Sequence, residues 1–347
     1  MPEQMIVDLR SDSVTKPTSE MRRAMAEAIV GDDGREGDPA AQRLEKMGAE
    51  MVGKEAGLFC TSGTMANLVA LMTHLRPGDE VMAERDSHFL RFEAGGLTAV
   101  GGGFPRSLPG RAGKMDLEQV EREIQPGSRL RPRTALIVAE NTHNMAGGAC
   151  LEVDYMRALW DIAKRHNIAV HLDGERIFNA AIALGVPAAA LTEGCDSVMF
   201  GLSKGLCAPY GSLLCANAES ITRARAMRHR LGGNVRQIGH MAAAGIVALE
   251  TMVERLAEDH VNARRLAEGI NRIHAGLVDM QTCQTNIVSV GTTPLGRPAA
   301  RLAAALEERG VRGLAIDPYW LRFVTHHDVT AAQIEHALGV IAEVFGA

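Results

Sequence analysis

Aromatic residues make up only 4% of the 347-residue chain, and no basic run is interleaved with them. That argues against a stacking platform for single-stranded nucleic acid. The formal net charge of −5 argues against a protein that coats phosphate backbones. No Cys-x-x-Cys pair occurs among the six cysteines, Cys60, Cys150, Cys195, Cys207, Cys215 and Cys283. No zinc or other metal site is therefore expected, and in a chain this long the thiols read as buried, free and in a reducing cytoplasm. Neither G-x-G-x-x-G nor G-x-x-x-x-G-K-[ST] is present, so dinucleotide and P-loop readings lack their fingerprints. The longest apolar stretch, IFNAAIALGVPAAAL, is broken by Asn179, Gly185 and Pro187 and is too short to span a bilayer. The opening MPEQMIVDLRSDS has acidic residues and no apolar core, so no secretory leader is expected.

What is present is an ordinary globular composition, 46% hydrophobic and 23% charged. There is no internal repeat, low-complexity block or long linker. TALIVAE (134–140), IAVHLD (168–173), SVMFG (197–201) and GSLLCA (211–216) read as strands. YMRALWDIAKRHN (155–167) reads as an amphipathic helix between two of them. That alternation predicts an α/β fold, with a mostly parallel sheet flanked by helices. From about Gly239 the pattern changes to a long helical stretch (241–273), then QTNIVSVGT, an Ala/Leu/Glu helix and YWLRFVTH. Two domains are expected: an N-terminal arm and large domain over 1–245, and a small α+β domain over 246–347.

In such a sheet the chemistry belongs at the carboxyl ends of the strands. Asp173 ends IAVHLD, ENTHN (140–144) follows TALIVA, and Lys204 follows SVMFG. Lys204 is the one charged residue between Asp196 and Glu219. It is either a lysine snorkelling from a strand end or an amine kept as a nucleophile toward a carbonyl. In TSGTMANLVALMTHL (61–75), hydroxyl and glycine residues precede a helical pattern. Ser62 and Thr64 there make either a plain helix cap or a phosphate cradle. A cradle, an acid at a strand end and a lone lysine one strand–connection–strand step later are together what pyridoxal 5'-phosphate requires.

The motifs that carry chemistry run in one order: DLRSDSVTKPT (8–18), GDD…GDP (31–39), SGTMAN (62–67), DSHF…FEAGG (86–96), ENTHN (140–144), HLDGERIFNA (171–180), DSVMFGLSKGLCAP (196–209), RLGGNVRQ (230–237) and LRFVTH (321–326). In them the chain resembles the L-threonine aldolase family, the β-eliminating-lyase branch of the pyridoxal-phosphate enzymes of fold type I. The resemblance implies that Lys204 is the Schiff-base lysine and that Asp173 faces the pyridine nitrogen. Ser62, Gly63 and Thr64 would form the phosphate loop, with Ser203 beside the lysine. His88 would stack on the cofactor ring, and His143 would be a second active-site histidine. Arg176 and Arg322, with Ser11, would grip the substrate carboxylate, and Arg176 is also counted with the cofactor set. Arg236 would reach the phosphate of a neighbouring subunit, which implies a homo-oligomer, a dimer or a dimer of dimers.

The implied reaction is retro-aldol cleavage of a β-hydroxy-α-amino acid to glycine and an aldehyde, with His88 or His143 as base. β-Elimination or β-replacement on a Cys- or Ser-like substrate is the alternative in the same site, and a silent pyridoxal-phosphate-binding protein is a third reading. The substrate is a small molecule, with neither nucleic acid nor membrane as partner. The chain departs from the family pattern at Gly34, Arg35, Glu175, His229 and Asn234, and has Phe92 where some members have tyrosine. Arg35, expected near the active-site mouth, would favour an anionic substrate end, or else point outward and pair with Glu36 or Asp38.

Overall fold

The computed structural model describes residues 5–346. Positions 1–4, which begin the stretch read for a leader, lie outside it, as does position 347. The central sheet has strands β1 (Ala56–Cys60), β2 (Glu80–Glu84), β3 (Phe104–Leu108), β4 (Arg131–Glu140), β5 (Ala169–Asp173), β6 (Ser197–Gly201) and β7 (Ser212–Ala216). Their spatial order is β1-β7-β6-β5-β4-β2-β3, and a short strand Pro126–Ser128 pairs onto β4. β3, β2, β4, β5 and β6 run parallel. β6 and β7 are buried at every position, as a sheet covered on both faces requires.

β7 departs from the expected parallel order, since it pairs antiparallel with both β6 and β1. Only residues 202–211 separate β6 from β7, and no helix lies among them. A parallel return needs a crossover of a dozen or more residues. This short connection carries Lys204. It ends at Gly211, whose φ of +90° and contact with the Phe59 ring leave no room for a side chain.

The helix Val153–Arg165 buries Met156, Leu159, Trp160, Ile162 and Ala163, the helical spacing that its sequence shows. The expected single helix over 241–273 is two helices, Gly239–Thr251 and Leu256–Ile273. Ala242 to Leu249 pack into the large core with the central sheet. Ala263, Leu266, Ala267 and Ile270 pack into a second core with Val288, Val290 and Phe323. One straight helix could not face both cores, and the break at residues 252–255 passes the chain between them. The second core also takes in Val7 and Leu9, because strand Val7–Asp8 pairs with Val311–Arg312. The N-terminal arm is thereby held across the mouth of the sheet, where Thr15 Oγ1 donates to the carbonyl of Lys204 at 2.9 Å. All six cysteines are buried and unpaired, and no described helix is long and apolar enough to cross a membrane.

Candidate active site

The carboxyl ends of β5 and β6 and the start of helix Gly63–His74 enclose a cavity of about 210 Å³. Ser62 caps that helix, its Oγ accepting from the backbone N–H of Met65 at 3.2 Å. The cap leaves the first-turn N–H groups at Gly63 and Thr64 as an anion cradle at one end of the cavity. Lys204 and Ser203 also line the cavity, and Lys204 Nζ lies 3.3 Å from Glu175 Oε1. His88 and the buried Asp173 complete the lining. The residues that the sequence assigned to the cofactor ring, its phosphate and its lysine therefore meet in one place.

Two side chains that sequence reasoning did not single out order this cavity. Asn67 lies one turn beyond Gly63 on the same helix face and donates from Nδ2 to Asp173 Oδ2 and Glu93 Oε1, each at 2.9 Å. Asn67 is oriented by His171, whose Nε2 lies 3.1 Å from its Oδ1. Burial pushes the His171 pKa down to about 3, so His171 is neutral and can donate that bond. Glu93 in turn lies 2.9 Å from His88 Nδ1. The carboxylate accepts from Nδ1–H, which leaves the lone pair on Nε2. Burial lowers the His88 pKa, but Glu93 and Asp173 outweigh it and the net shift is upward. The Asp173 pKa rises to about 7, because burial and then Glu140 and Glu93 oppose its charge. His88, Glu93 and Asp173 could bring three ligand atoms together for a metal. The Asn67 amide already donates to both carboxylates, which marks the cluster as a hydrogen-bonded relay.

The two arginines expected at a carboxylate differ in their surroundings. Arg176 is buried and donates Nε and Nη2 to the two oxygens of Asp12, both at 2.7 Å. Arg322, also buried, gives Nη1 to Asn144 Oδ1 at 3.0 Å, and its Nε has no partner. Burial and the neighbouring Arg176 lower the Arg322 pKa to about 10, so it is still a cation near neutral pH. Ser11 lies between Arg10 and Asp12 and accepts from the N–H of Ser13 at 3.2 Å. Arg322 is thus the buried guanidinium with no carboxylate of its own, while Arg176 is already neutralised.

Ser11, Arg176 and Arg322 do not line the cavity, nor do the remaining candidates, His143, Arg236 and Arg35. The His143 Nδ1 accepts from the N–H of Ala146 at 3.2 Å, and its Nε2 lies 3.1 Å from Glu84 but is not aligned for a hydrogen bond. Arg236 reaches Asp32 at 3.1 Å. Arg35 is 76% exposed and lies 3.7 Å from Asp32, not against Glu36 or Asp38. Asp38 is instead buried and accepts from the N–H groups of Gly31, Ala41 and Gly239.

A lysine, a buried acid and a helix-start cradle around one small cavity fit pyridoxal phosphate, with Lys204, Asp173 and Ser62–Thr64 as the residues that would hold it. The sequence profile of the β-eliminating lyases matches residues 8–293. The chain belongs to the β-eliminating lyase family. Within it, the low-specificity L-threonine aldolase 1 of Arabidopsis thaliana is 43% identical over 337 residues, 96% of this chain and 94% of that protein. The low specificity L-threonine aldolase of Escherichia coli K12 is 41% identical, covering 95% and 96%. The threonine aldolase of Leishmania major shares the fold, with a TM-score of 0.84 over 97% of this chain and 98% of that one, at 17% identity. This β-eliminating lyase family member is a pyridoxal-phosphate enzyme of fold type I. Asn67 and Glu93 both fall within its matched motifs, SGTMAN and FEAGG, and the helical spacing of Gly63 and Asn67 was a signal that could have found Asn67.

Proposed function

We propose that the protein cleaves L-threonine-type β-hydroxy-α-amino acids to glycine and an aldehyde. The observation that carries this reading is the meeting of Lys204, Asp173 and a histidine with a free Nε2 around one cavity. Pyridoxal phosphate supplies the electron sink for the pair released when the Cα–Cβ bond breaks. Lys204 Nζ would hold it, and Asp173 would keep a proton on its ring nitrogen. Arg322 is assigned to the substrate carboxylate because its guanidinium has no carboxylate of its own among the described residues. His88 Nε2 takes the proton of the β-hydroxyl group, with Glu93 holding the Nδ1 proton in place. His88 is preferred to His143 because it lines the cavity, whereas His143 Nδ1 is occupied by a backbone donor.

Two relatives more than 40% identical over nearly the whole chain are named for threonine cleavage, which supports this substrate class. Arg236 does not line the cavity of its own chain. A second copy of the chain is the natural recipient of such a residue, and we assign a homo-oligomer in the cytoplasm. The test is product analysis with L-threonine and L-allo-threonine. Glycine with acetaldehyde is expected, and Lys204→Ala should abolish both turnover and the visible absorption of the bound cofactor. Pyruvate or 2-oxobutyrate with ammonia as the main product would replace this reading with β-elimination. Full activity in Lys204→Ala would remove Lys204 from the chemistry.

A further inference from the structure

Glu175 is the lining carboxylate that lies between the lysine and the helix start of this site. It follows Asp173 by two residues, past the end of β5, and its side chain is 17% exposed. One carboxylate oxygen lies 3.3 Å from Lys204 Nζ. The other stands over the start of helix Gly63–His74, where a Cβ on Gly63 would meet it at 2.5 Å. A Cβ on Gly201 would meet Oε1 at 2.0 Å, so two glycines make the room this side chain fills. Asp12, Asp173, His88 and Arg176 are the other charges that act on the Lys204–Glu175 pair.

Both ends of the cofactor contest this position. The helix start that would cradle a phosphate is the natural seat of an anion, and the Glu175 carboxylate is already there. Lys204 Nζ, to which the aldehyde must add, lies against the same carboxylate. We propose that Glu175 is a resident competitor for pyridoxal phosphate, so that this chain binds its cofactor more weakly and loads it more slowly than the rest of the cavity would permit. The proposal rests on the pyridoxal-phosphate site described above. The carboxylate does not need to take part in turnover for the effect to exist, since two anions held near one helix start repel.

The test is cofactor binding to cofactor-stripped protein, followed by visible absorbance and equilibrium dialysis, with inorganic phosphate as a competing anion. Glu175→Gln and Glu175→Ala should each lower the dissociation constant of pyridoxal phosphate by about tenfold or more and speed its uptake. The inhibition constant of inorganic phosphate should fall in parallel. Glu175→Asp, which keeps the charge, should stay nearer to wild type. Tighter binding in the alanine variant but not in the glutamine variant would mean that bulk, not charge, limits binding, and would overturn the proposal. Unchanged or weaker binding in both would overturn it while leaving the cofactor site standing. Wild-type protein that takes up no pyridoxal phosphate would overturn the site and the proposal together.

Discussion

Replacing Asp12 by asparagine removes the charge that neutralises Arg176 at a point where neither side chain meets water. Asp12 is fully buried, and Arg176 reaches it through two bonds of 2.7 Å. Breaking a buried pair by removing one partner costs about 3–5 kcal/mol. Asparagine keeps one oxygen to accept from Arg176, so about 3 kcal/mol is the expected loss. The vicinity sharpens the effect, because the Arg176 charge already acts on the buried Arg322. The assay is the urea midpoint of Asp12→Asn against wild type near neutral pH. The exposed pair Arg43–Glu250, at 63% and 45% exposure, gives the control. Arg43→Gln should lose less than about 1 kcal/mol. The pH dependence has a definite sign. Burial alone would raise the Asp12 pKa, but Arg176 and its hydrogen bonds hold it well below 3.8. The pair's contribution is therefore complete above the ordinary value and is lost as pH falls through the depressed one. The gap between wild type and Asp12→Asn should be level above pH 3.8 and narrow below it. A loss no larger than that of Arg43→Gln would refute the structural role given to this pair and return Arg176 to the substrate.

Two further outcomes concern one side chain inside the site and one outside it. Glu93 raises the His88 pKa through its bond to Nδ1, and a base works only while neutral, so Glu93→Gln should move the acid limb of the kcat/KM profile to lower pH. An unmoved limb would disconnect Glu93 from the base. Arg35 is an exposed side chain beside Asp32, so Arg35→Ala should change kcat/KM by less than about twofold on threonine and on 3-hydroxyaspartate alike. A selective loss on 3-hydroxyaspartate would restore Arg35 as a determinant of an anionic substrate end.

Residue type and local order by themselves determined much of this protein. Lys204 stands alone in an otherwise uncharged run, and Asp173 closes the strand reading IAVHLD. A hydroxyl–glycine–hydroxyl triplet opens a helix at Ser62. Each of these is a local pattern, and Asp173 and Lys204 follow adjacent parallel strands whose carboxyl ends bring them together. The antiparallel β7 was also within reach, since ten residues cannot carry a crossover helix. Other features depend on contacts between distant segments. The helical periodicity across 241–273 is continuous in sequence, and only the presence of two separate cores breaks it at residues 252–255. Asp12 and Arg176 are 164 residues apart, and nothing near either one reveals that their charges cancel. That pairing leaves Arg322, and not Arg176, with an unpartnered donor for a substrate carboxylate. His88 acquires its proton arrangement from Glu93, and Glu93 is tied through Asn67 to Asp173, so three segments must fold before the histidine can act as a base. Sequence patterns mark which groups carry chemistry. Which of them are neutralised, buried or free is decided by the long-range packing that brings charges from separate segments within hydrogen-bonding distance.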